Sequence, residues 1–201
     1  MVAAAVLAGA FLAGSVPFSL LLGLARGTDI RRVGSKNVGA TNLLRTCGVP
    51  IGVAGLLLDA LKGAAPVAAA IQLGLPVWAQ SAAAVLAVLG HVFTPWLGFR
   101  GGKGAATAMG SLLVLATVPV LAALGVFIAV LAAFRFVSLA SICAAVSLIP
   151  ASIILLPGRE RLPIHAVCLL VALLVVVRHR SNIGRLVSGR ESRFSLGRED
   201  R

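Results

Sequence analysis

Long apolar stretches separated by short polar loops make up most of the chain. A helix needs about 20 apolar residues to cross roughly 30 Å of hydrocarbon, and five stretches reach about that length: residues 1–25, 50–73, 75–97, 136–156 and 162–177. In a bilayer these helices can satisfy all their backbone hydrogen bonds internally. The pattern therefore predicts an all-α, polytopic integral membrane protein.

A sixth apolar stretch, residues 105–134, is too long for one ordinary span. It contains no charged residue until Arg135, and as a single helix with a rise of about 1.5 Å per residue it would be about 45 Å long. Pro119 lies at its centre, and proline interrupts helices because it lacks a backbone N–H. The stretch is therefore either one helix longer than the bilayer is thick or two shorter helices joined near Thr117 to Pro119.

The distribution of Lys and Arg distinguishes these alternatives. If residues 105–134 cross twice, fifteen cations lie at one face and only Arg159 and Arg161 at the other; if they cross once, the division is nine against eight. Cytoplasmic loops of membrane proteins carry the excess of cations. The charges therefore predict seven spans, with the N-terminus outside and the C-terminus and the basic loops in the cytoplasm.

Composition agrees with a bilayer environment and excludes several classes of protein. Hydrophobic residues make up 59% of the 201 residues and charged residues only 12%, with a mean hydropathy of +1.04. The net charge of +12 does not indicate nucleic-acid binding, because no aromatic stacking platform accompanies the cations and membrane topology explains their clustering. The chain reads as one transmembrane domain, residues 1–201.

The first polar cluster lies in the loop between spans one and two. Its small residues expose backbone N–H groups, its hydroxyl and amide side chains donate hydrogen bonds, and its cations attract anions, which together suit an oxyanion cradle. A flexible polar loop is the alternative interpretation. The candidate phosphate-binding residues are Gly34, Ser35, Asn37, Gly39, Thr41, Asn42 and Arg45, with Lys36 among them in the sequence.

The second polar cluster, Gly101, Gly102, Lys103 and Gly104, precedes the fourth predicted span. A glycine-rich turn that enters a helix N-terminus can present free N–H groups and the positive end of the helix dipole to an anion. The spacing does not match the P-loop of nucleotide-binding proteins, which would require glycine at Leu97. Phosphate is the predicted ligand; the alternative is a membrane-entry turn in which Lys103 extends toward the interface.

Charged and polar side chains also occur within predicted spans. Asp59 and Lys62 lie three residues apart in span two, so they share a helix face and are predicted to pair. An isolated charge there would cost about 3 kcal/mol on insertion scales, which favours a functional pair over the alternative, a structural pair between helices. His91, at the end of span three and near the glycines, is assigned a supporting role with them.

The last polar cluster follows span seven. His179 and Asn182 are three residues apart and are predicted to point from one helix face into a cytoplasmic pocket. The arginines from Arg190 onward are interpreted as anchors at anionic lipid head groups.

These clusters, in this order, resemble the PlsY family of bacterial membrane acyltransferases, which use acyl phosphate and glycerol 3-phosphate. The resemblance covers nearly the whole chain and includes two further motifs, Gly14 to Phe18 and Arg135 to Leu139. Two positions differ from the family: glycine is usual at Lys36, where a positive φ would strain lysine, and tyrosine is common at Phe136. The family's seven-span, cytoplasm-facing arrangement agrees with the topology inferred from charge.

The resemblance implies transfer of a fatty acyl group to the 1-hydroxyl of glycerol 3-phosphate, without a cofactor or metal. The products are lysophosphatidic acid and inorganic phosphate, in the first acylation of phospholipid biosynthesis. It also implies a functional link to the enzyme that makes acyl phosphate. Lys103 with the glycine-loop amides is expected to hold one phosphate and the first cluster the other, while His179 and Asn182 position the nucleophile.

The residues of the sequence do not identify the base that accepts the hydroxyl proton. Other glycerolipid acyltransferases have a histidine followed after four residues by aspartate, and here the corresponding positions are Trp96, Leu170 and Gly184. The remaining candidates are His179, another polar side chain, or a substrate phosphate, which is the favoured one.

Two other functions agree less well with the sequence than acyl transfer does. A membrane carrier for organic phosphate esters would need polar groups at both faces, and the outer face has almost none beyond residues 159–161. A metal-dependent alcohol phosphotransferase would need clustered carboxylates for Mg²⁺, and the six acidic residues are scattered.

Overall fold

A computed structural model of the protein describes residues 1–158 and 161–194. The cations Arg159, Arg198 and Arg201 and the predicted outer-face residue Glu160 lie outside these ranges. All regular secondary structure in the described ranges is helical, which confirms the predicted all-α class. The α-helices are α1 (Val2–Ser15), α2 (Phe18–Ala25), α3 (Ala40–Cys47), α4 (Val49–Gln72), α5 (Val77–Val92), α6 (Ala105–Leu115), α7 (Thr117–Phe134), α8 (Val137–Leu155), α9 (Leu162–Arg178) and α10 (Arg180–Val187).

The long apolar stretch at 105–134 is broken into two helices, as predicted. The break is at Ala116, whose backbone leaves the helical region (φ −144°, ψ 58°) one residue before the predicted junction. α6 has 11 residues and is therefore only about 16 Å long. The two halves are unequal, because α7 has the length of a span and α6 does not.

Five described helical segments are long and apolar enough to cross a membrane: Val2–Ala25, Val49–Gln72, Val77–Leu97, Thr117–Phe134 and Val137–Leu155. α9 and α10 together add a sixth, which is bent by 56°. The outer bounds of the five predicted stretches agree within two residues with these segments and with α9, whereas residues 1–25 form two helices, α1 and α2, and α10 extends ten residues beyond the predicted end at 177. Seven crossings require α6 to count as one, although it is shorter than the roughly 30 Å hydrocarbon core.

Glycines let the helices that carry the polar clusters pack closely. A Cβ at Gly63 of α4 would clash with the Thr107 carbonyl of α6, and a Cβ at Gly110 of α6 would clash with the Ala60 carbonyl of α4. Small residues at such crossings permit the backbone approach that drives helix association in lipid. α6 is therefore seated firmly against α4, which determines where the loop before α6 lies.

The polar clusters meet at one end of the bundle. The loop before α3, the loop before α6 and the bend between α9 and α10 all line one cavity. Because these two loops and the bend are far apart in the sequence, the packing of the helices is what brings them together around the cavity.

Candidate active site

One cavity of about 1540 Å³ contains most of the predicted site residues. Its polar end is formed by the three loops, and its other end continues between apolar helices. Three predicted residues, Gly101, Gly102 and Lys62, do not line it. The predicted residues that do are Gly34, Ser35, Asn37, Gly39, Thr41, Asn42, Arg45, Asp59, His91, Lys103, Gly104, His179 and Asn182.

Asn42 holds the first loop in shape. Its side-chain amide donates to the carbonyls of Ile30, Val33 and Asn37, and its Oδ1 accepts from the Ser35 N–H at 2.9 Å. The side chain is buried, and these contacts occupy both of its polar atoms. The structure thus gives Asn42 a positioning role in place of the predicted phosphate contact.

The backbone of this loop has two residues in the left-handed region. Gly34 has φ 58°, and a Cβ there would also clash with Asn42 Oδ1. Lys36 has φ 59°, so this position does require the positive φ for which glycine is favoured. The exposed side chains of Ser35 and Thr41, with that of Arg45, remain directed at the cavity.

The second loop is attached to α5 and α9 by its glycines. The amides of Gly101 and Gly102 donate to the carbonyls of Val92 and His91 at 3.0 and 3.2 Å. Arg178 donates to the carbonyls of the same two glycines. The prediction that these two amides are free for an anion is therefore wrong.

Gly102 and Gly104 serve different needs within this loop. A Cβ at Gly102 would clash with the His91 ring, so the ring packs directly against the loop, and the supporting role of His91 stays a prediction. Gly104 has φ 85° and precedes α6, whose first turn retains the unpaired N–H groups of a helix start. The amides that remain for an anion are thus at the beginning of α6.

Lys103 extends from the loop into the cavity. Its Nζ donates to Asn182 Oδ1 at 2.6 Å, which confirms that the second and last clusters meet. The pKa of Lys103 is lowered to about 8, mainly by burial; Glu191 opposes this shift, and the neighbouring cations Arg185, Arg45 and Arg178 contribute to it. The ammonium group is therefore short of negative partners, as expected where an anion binds.

His179 is oriented by the end of its own helix. Its Nδ1 lies 2.7 Å from the Val175 carbonyl, and because a carbonyl can only accept, Nδ1 carries the hydrogen. In a neutral ring, Nε2 is then the nitrogen that can accept a hydrogen bond. His179 and Asn182 are both almost fully buried and line the cavity, as their spacing predicted.

Glu191 is a site residue that the sequence did not reveal. Its Oε1 accepts from Ser138 Oγ and Asn182 Nδ2, both at 2.6 Å, and its Oε2 accepts from Arg185 Nε at 2.7 Å. Burial alone would raise its pKa, but these hydrogen bonds keep the pKa of Glu191 below its usual value. A carboxylate held in this way ties the chain after α10 to α8.

The segment after α10 does not fit its interpretation as a lipid anchor, as far as it is described. Residues 191–194 fold back over the cavity, where Arg45 donates to the Ser192 carbonyl and the backbones of Phe194 and Arg135 pair. Ser138, in the family motif at 135–139, was the only sequence signal for this contact. Glu191 is one of three acidic residues among the arginines of the tail, with Glu199 and Asp200, and their spacing does not single it out.

The buried charges of α4 pair as predicted. Asp59 and Lys62 are 2.8 Å apart, and Ser19 Oγ donates to Asp59 at 2.6 Å. Lys62 also donates to the Val16 carbonyl at 2.6 Å, which is exposed by the break before Pro17. This group connects the α1–α2 break to the cavity wall, where Asp59 and His91 lie 4.0 Å apart.

The cavity continues from the cations into an apolar arm between α6, α7, α8 and α9. Its lining there includes Ala108, Leu112, Val120, Ala144, Leu148 and Val171. A cationic end joined to a long apolar end matches a ligand with an anionic head and a hydrocarbon tail. The fold and the site define an integral membrane protein with an amphipathic, anion-attracting pocket.

Comparison with known proteins specifies this class further. The family model for glycerol-3-phosphate acyltransferase matches residues 4–189. Glycerol-3-phosphate acyltransferases of Geobacter metallireducens and Trichlorobacter lovleyi are 50% and 47% identical, each over 94% of this chain and 95% of the relative. The chain belongs to the glycerol-3-phosphate acyltransferase family.

Solved structures agree with this assignment. The crystal structure of PlsY (YgiH), an integral membrane glycerol 3-phosphate acyltransferase, in its glycerol 3-phosphate form is 35% identical, with a TM-score of 0.91 and coverage of 97% of this chain and 96% of that one. Its lysophosphatidic acid form is 34% identical with a TM-score of 0.89.

Proposed function

We propose that the protein transfers a fatty acyl group from acyl phosphate to the 1-hydroxyl of glycerol 3-phosphate, forming lysophosphatidic acid and inorganic phosphate. The observation that carries the proposal is the single cavity in which Lys103, Arg45 and Asn182 adjoin an apolar arm. The phosphate of the donor requires cations and hydrogen-bond donors, and its acyl chain requires an adjoining apolar surface. The family assignment and the glycerol 3-phosphate and lysophosphatidic acid forms of the solved relative support the acceptor and the product.

Each substrate carries a phosphate, so the reaction needs two anion sites that lie close together. A second cavity of about 180 Å³ adjoins the first and is lined by Asn37, Lys103, Arg178, Arg180 and Ser181. Lys103 and Asn37 line both cavities. We assign Lys103 to the boundary between the two phosphates, where one ammonium group can neutralise charge on both.

In the chemical step the 1-hydroxyl oxygen attacks the acyl carbon and the bond from that carbon to the phosphate oxygen breaks. The hydroxyl proton leaves with inorganic phosphate, so no external base is consumed. Acyl phosphate already has a good leaving group, and the protein mainly orients the reactants and stabilises developing charge. His179 Nε2, free of an internal partner in the described residues, is suited to hold the hydroxyl in line, with Asn182 beside it.

We further propose seven crossings, with α6 and the loop before it forming one of them and the active site facing the bacterial cytoplasm. Non-helical backbone is tolerated at membrane depth where protein buries it, and Gly101, Gly102 and Gly104 are all buried. The excess of cations beside the cavity supports this orientation. A reporter fused between Pro157 and Arg161 is expected outside, and a cytoplasmic signal there would contradict the topology.

The reaction is tested with purified protein, acyl phosphate and glycerol 3-phosphate, by measuring inorganic phosphate and lysophosphatidic acid. Equal amounts of the two products are expected. Acyl-CoA in place of acyl phosphate is the control for donor identity. Product formation with acyl-CoA and none with acyl phosphate would overturn the proposed donor.

A further inference from the structure

The apolar arm of the cavity extends toward the break between α6 and α7. α6 and α7 meet at the break at Ala116, and from there α7 turns back along α8, so the two helices diverge toward the polar end. Near this vertex the cavity is lined by Leu112 of α6, Val120 of α7 and Leu148 of α8. The arm therefore ends where three different helices each supply a branched side chain.

These three side chains belong to the packed core as well as to the cavity wall. Their exposures are 1%, 5% and 6%, and all three lie in one contiguous apolar cluster. Because protein interiors are close-packed, the residues behind these side chains limit how far they can move to admit a ligand. Nearer the polar end, the lining residues of α8 are small, namely Ser141, Ala144 and Ala145. From Ser141 to Leu148, the lining of α8 thus changes from small side chains to a larger, branched one.

The length of the arm follows from α8. Ser138, beside Glu191 and Asn182, and Leu148 both line the cavity and are ten residues apart, which is about 15 Å along a helix. Carbon–carbon bonds of about 1.5 Å that meet at about 111° advance an extended chain by about 1.25 Å each. The distance is therefore comparable to a fatty acyl chain, so a sufficiently long chain that stays within the arm contacts these side chains.

We propose that Leu112, Val120 and Leu148 form a stop that determines the longest acyl chain the enzyme transfers efficiently. The inference rests on the proposed function, because the occupant is the acyl chain of the donor whose phosphate lies at the cationic end of the same cavity. An acyl chain longer than the distance to the stop must either bend or move its acyl carbon away from the attacking 1-hydroxyl oxygen. Chain length then affects kcat/KM as well as binding.

Two substitutions on α8 move the stop in opposite directions. Ala144→Phe fills the arm one helical turn above Leu148, about 6 Å nearer the polar end, and is expected to shorten the longest efficient chain by about four to five carbons at about 1.25 Å each. Leu148→Ala removes three carbons from the end wall and is expected to lengthen that chain by about one to three carbons, because the end wall recedes only as far as the removed atoms allow. Val146→Ala is the matched control, because Val146 is 51% exposed and does not line the cavity.

The experiment measures kcat/KM for saturated acyl phosphates of increasing length with glycerol 3-phosphate, in wild type and the three variants. The readout is the ratio of kcat/KM between a long and a short donor, which is independent of the folded fraction. Each carbon beyond the stop is expected to lower kcat/KM about tenfold, as for an extra methylene in a closed pocket. Val146→Ala should keep the wild-type ratio.

The results that would contradict the proposed function differ from those that would contradict the stop. If wild type transfers no acyl phosphate of any length, the proposed function fails and the stop with it. If wild type is active but both Ala144→Phe and Leu148→Ala keep its length profile, the stop is refuted and the chain leaves the cavity sideways into lipid. Opposite shifts of the two profiles, with the control unchanged, would support the stop.

Discussion

The two glycine-rich loops have similar sequences of small and cationic residues but reach their shapes by different means. The loop before α3 is organised by one side chain, Asn42, which bonds to four backbone groups within it. The loop before α6 is organised from outside, by carbonyls of α5 and the guanidinium of Arg178. In both, the predicted backbone donors are largely occupied. Side chains, together with the first turn of α6, are therefore left to bind the anions.

The largest expected effect comes from removing the cation that the two sites share. Lys103→Ala should lower kcat/KM by about a hundredfold or more, the scale of losing one preorganised donor in a transition state. The loss in kcat/KM is measured from the release of inorganic phosphate by the purified variants. Lys36→Ala, which alters an exposed cation of the first loop, is the control and should stay within about fivefold.

A second change tests whether Asn42 supports its loop alone. Asn42→Ala leaves the Ser35 N–H and the carbonyls of Ile30 and Val33 without their partner, at a cost of about 1–3 kcal/mol. We expect about a tenfold loss in kcat/KM that appears in KM for one substrate only. Equal KM changes for both substrates would mean that the two loops are one unit. Gly125→Ala serves as a control, because a Cβ there meets no neighbouring atom.

The pH dependence of the second loop follows from Lys103. Its pKa is lowered to about 8, so the cation is present below that pH and is lost as the pH rises through it. The second pKa of a phosphate ester is about 6, so the substrates are already dianions there. KM for glycerol 3-phosphate is expected to rise by about fivefold from pH 8 to pH 9, because the protonated fraction falls from about one half to about one tenth. Lys103→Arg should remove this rise, whereas a rise that persists would assign it to another group.

The smallest expected effect concerns strain in the first loop. Lys36→Gly places the favoured residue at a φ of 59° and should raise the free energy of unfolding by at most about 1 kcal/mol. Activity should change less than about threefold if lysine makes no phosphate contact. A thermal denaturation series with the activity assay measures both. A larger loss of activity would indicate that Lys36 has become a ligand in this chain.

Much of the fold was predictable because long apolar stretches encode burial in lipid directly. Their lengths predicted the outer bounds of five spans within two residues, and Pro119 predicted the break now found at Ala116, whereas the break between α1 and α2 and the short helices α3 and α10 were not predicted. The family pattern singled out position 36 as one that favours glycine, and the structure has a positive φ there. The number of crossings was less certain, because α6 is too short to register as a span and depends on the loop before it.

The sequence by itself determined the helical membrane class, the positions of the loops and the chemical character of the site, because these follow from local composition and spacing. Only the tertiary structure decided which donors stay free and which side chains meet. The Ser19–Asp59 and Arg45–Ser192 contacts join residues 40 and 147 positions apart, and Glu191 binds Asn182 only because α10 bends back. Hydrogen-bond partners at such separations depend on how whole helices pack, and no local pattern records that packing.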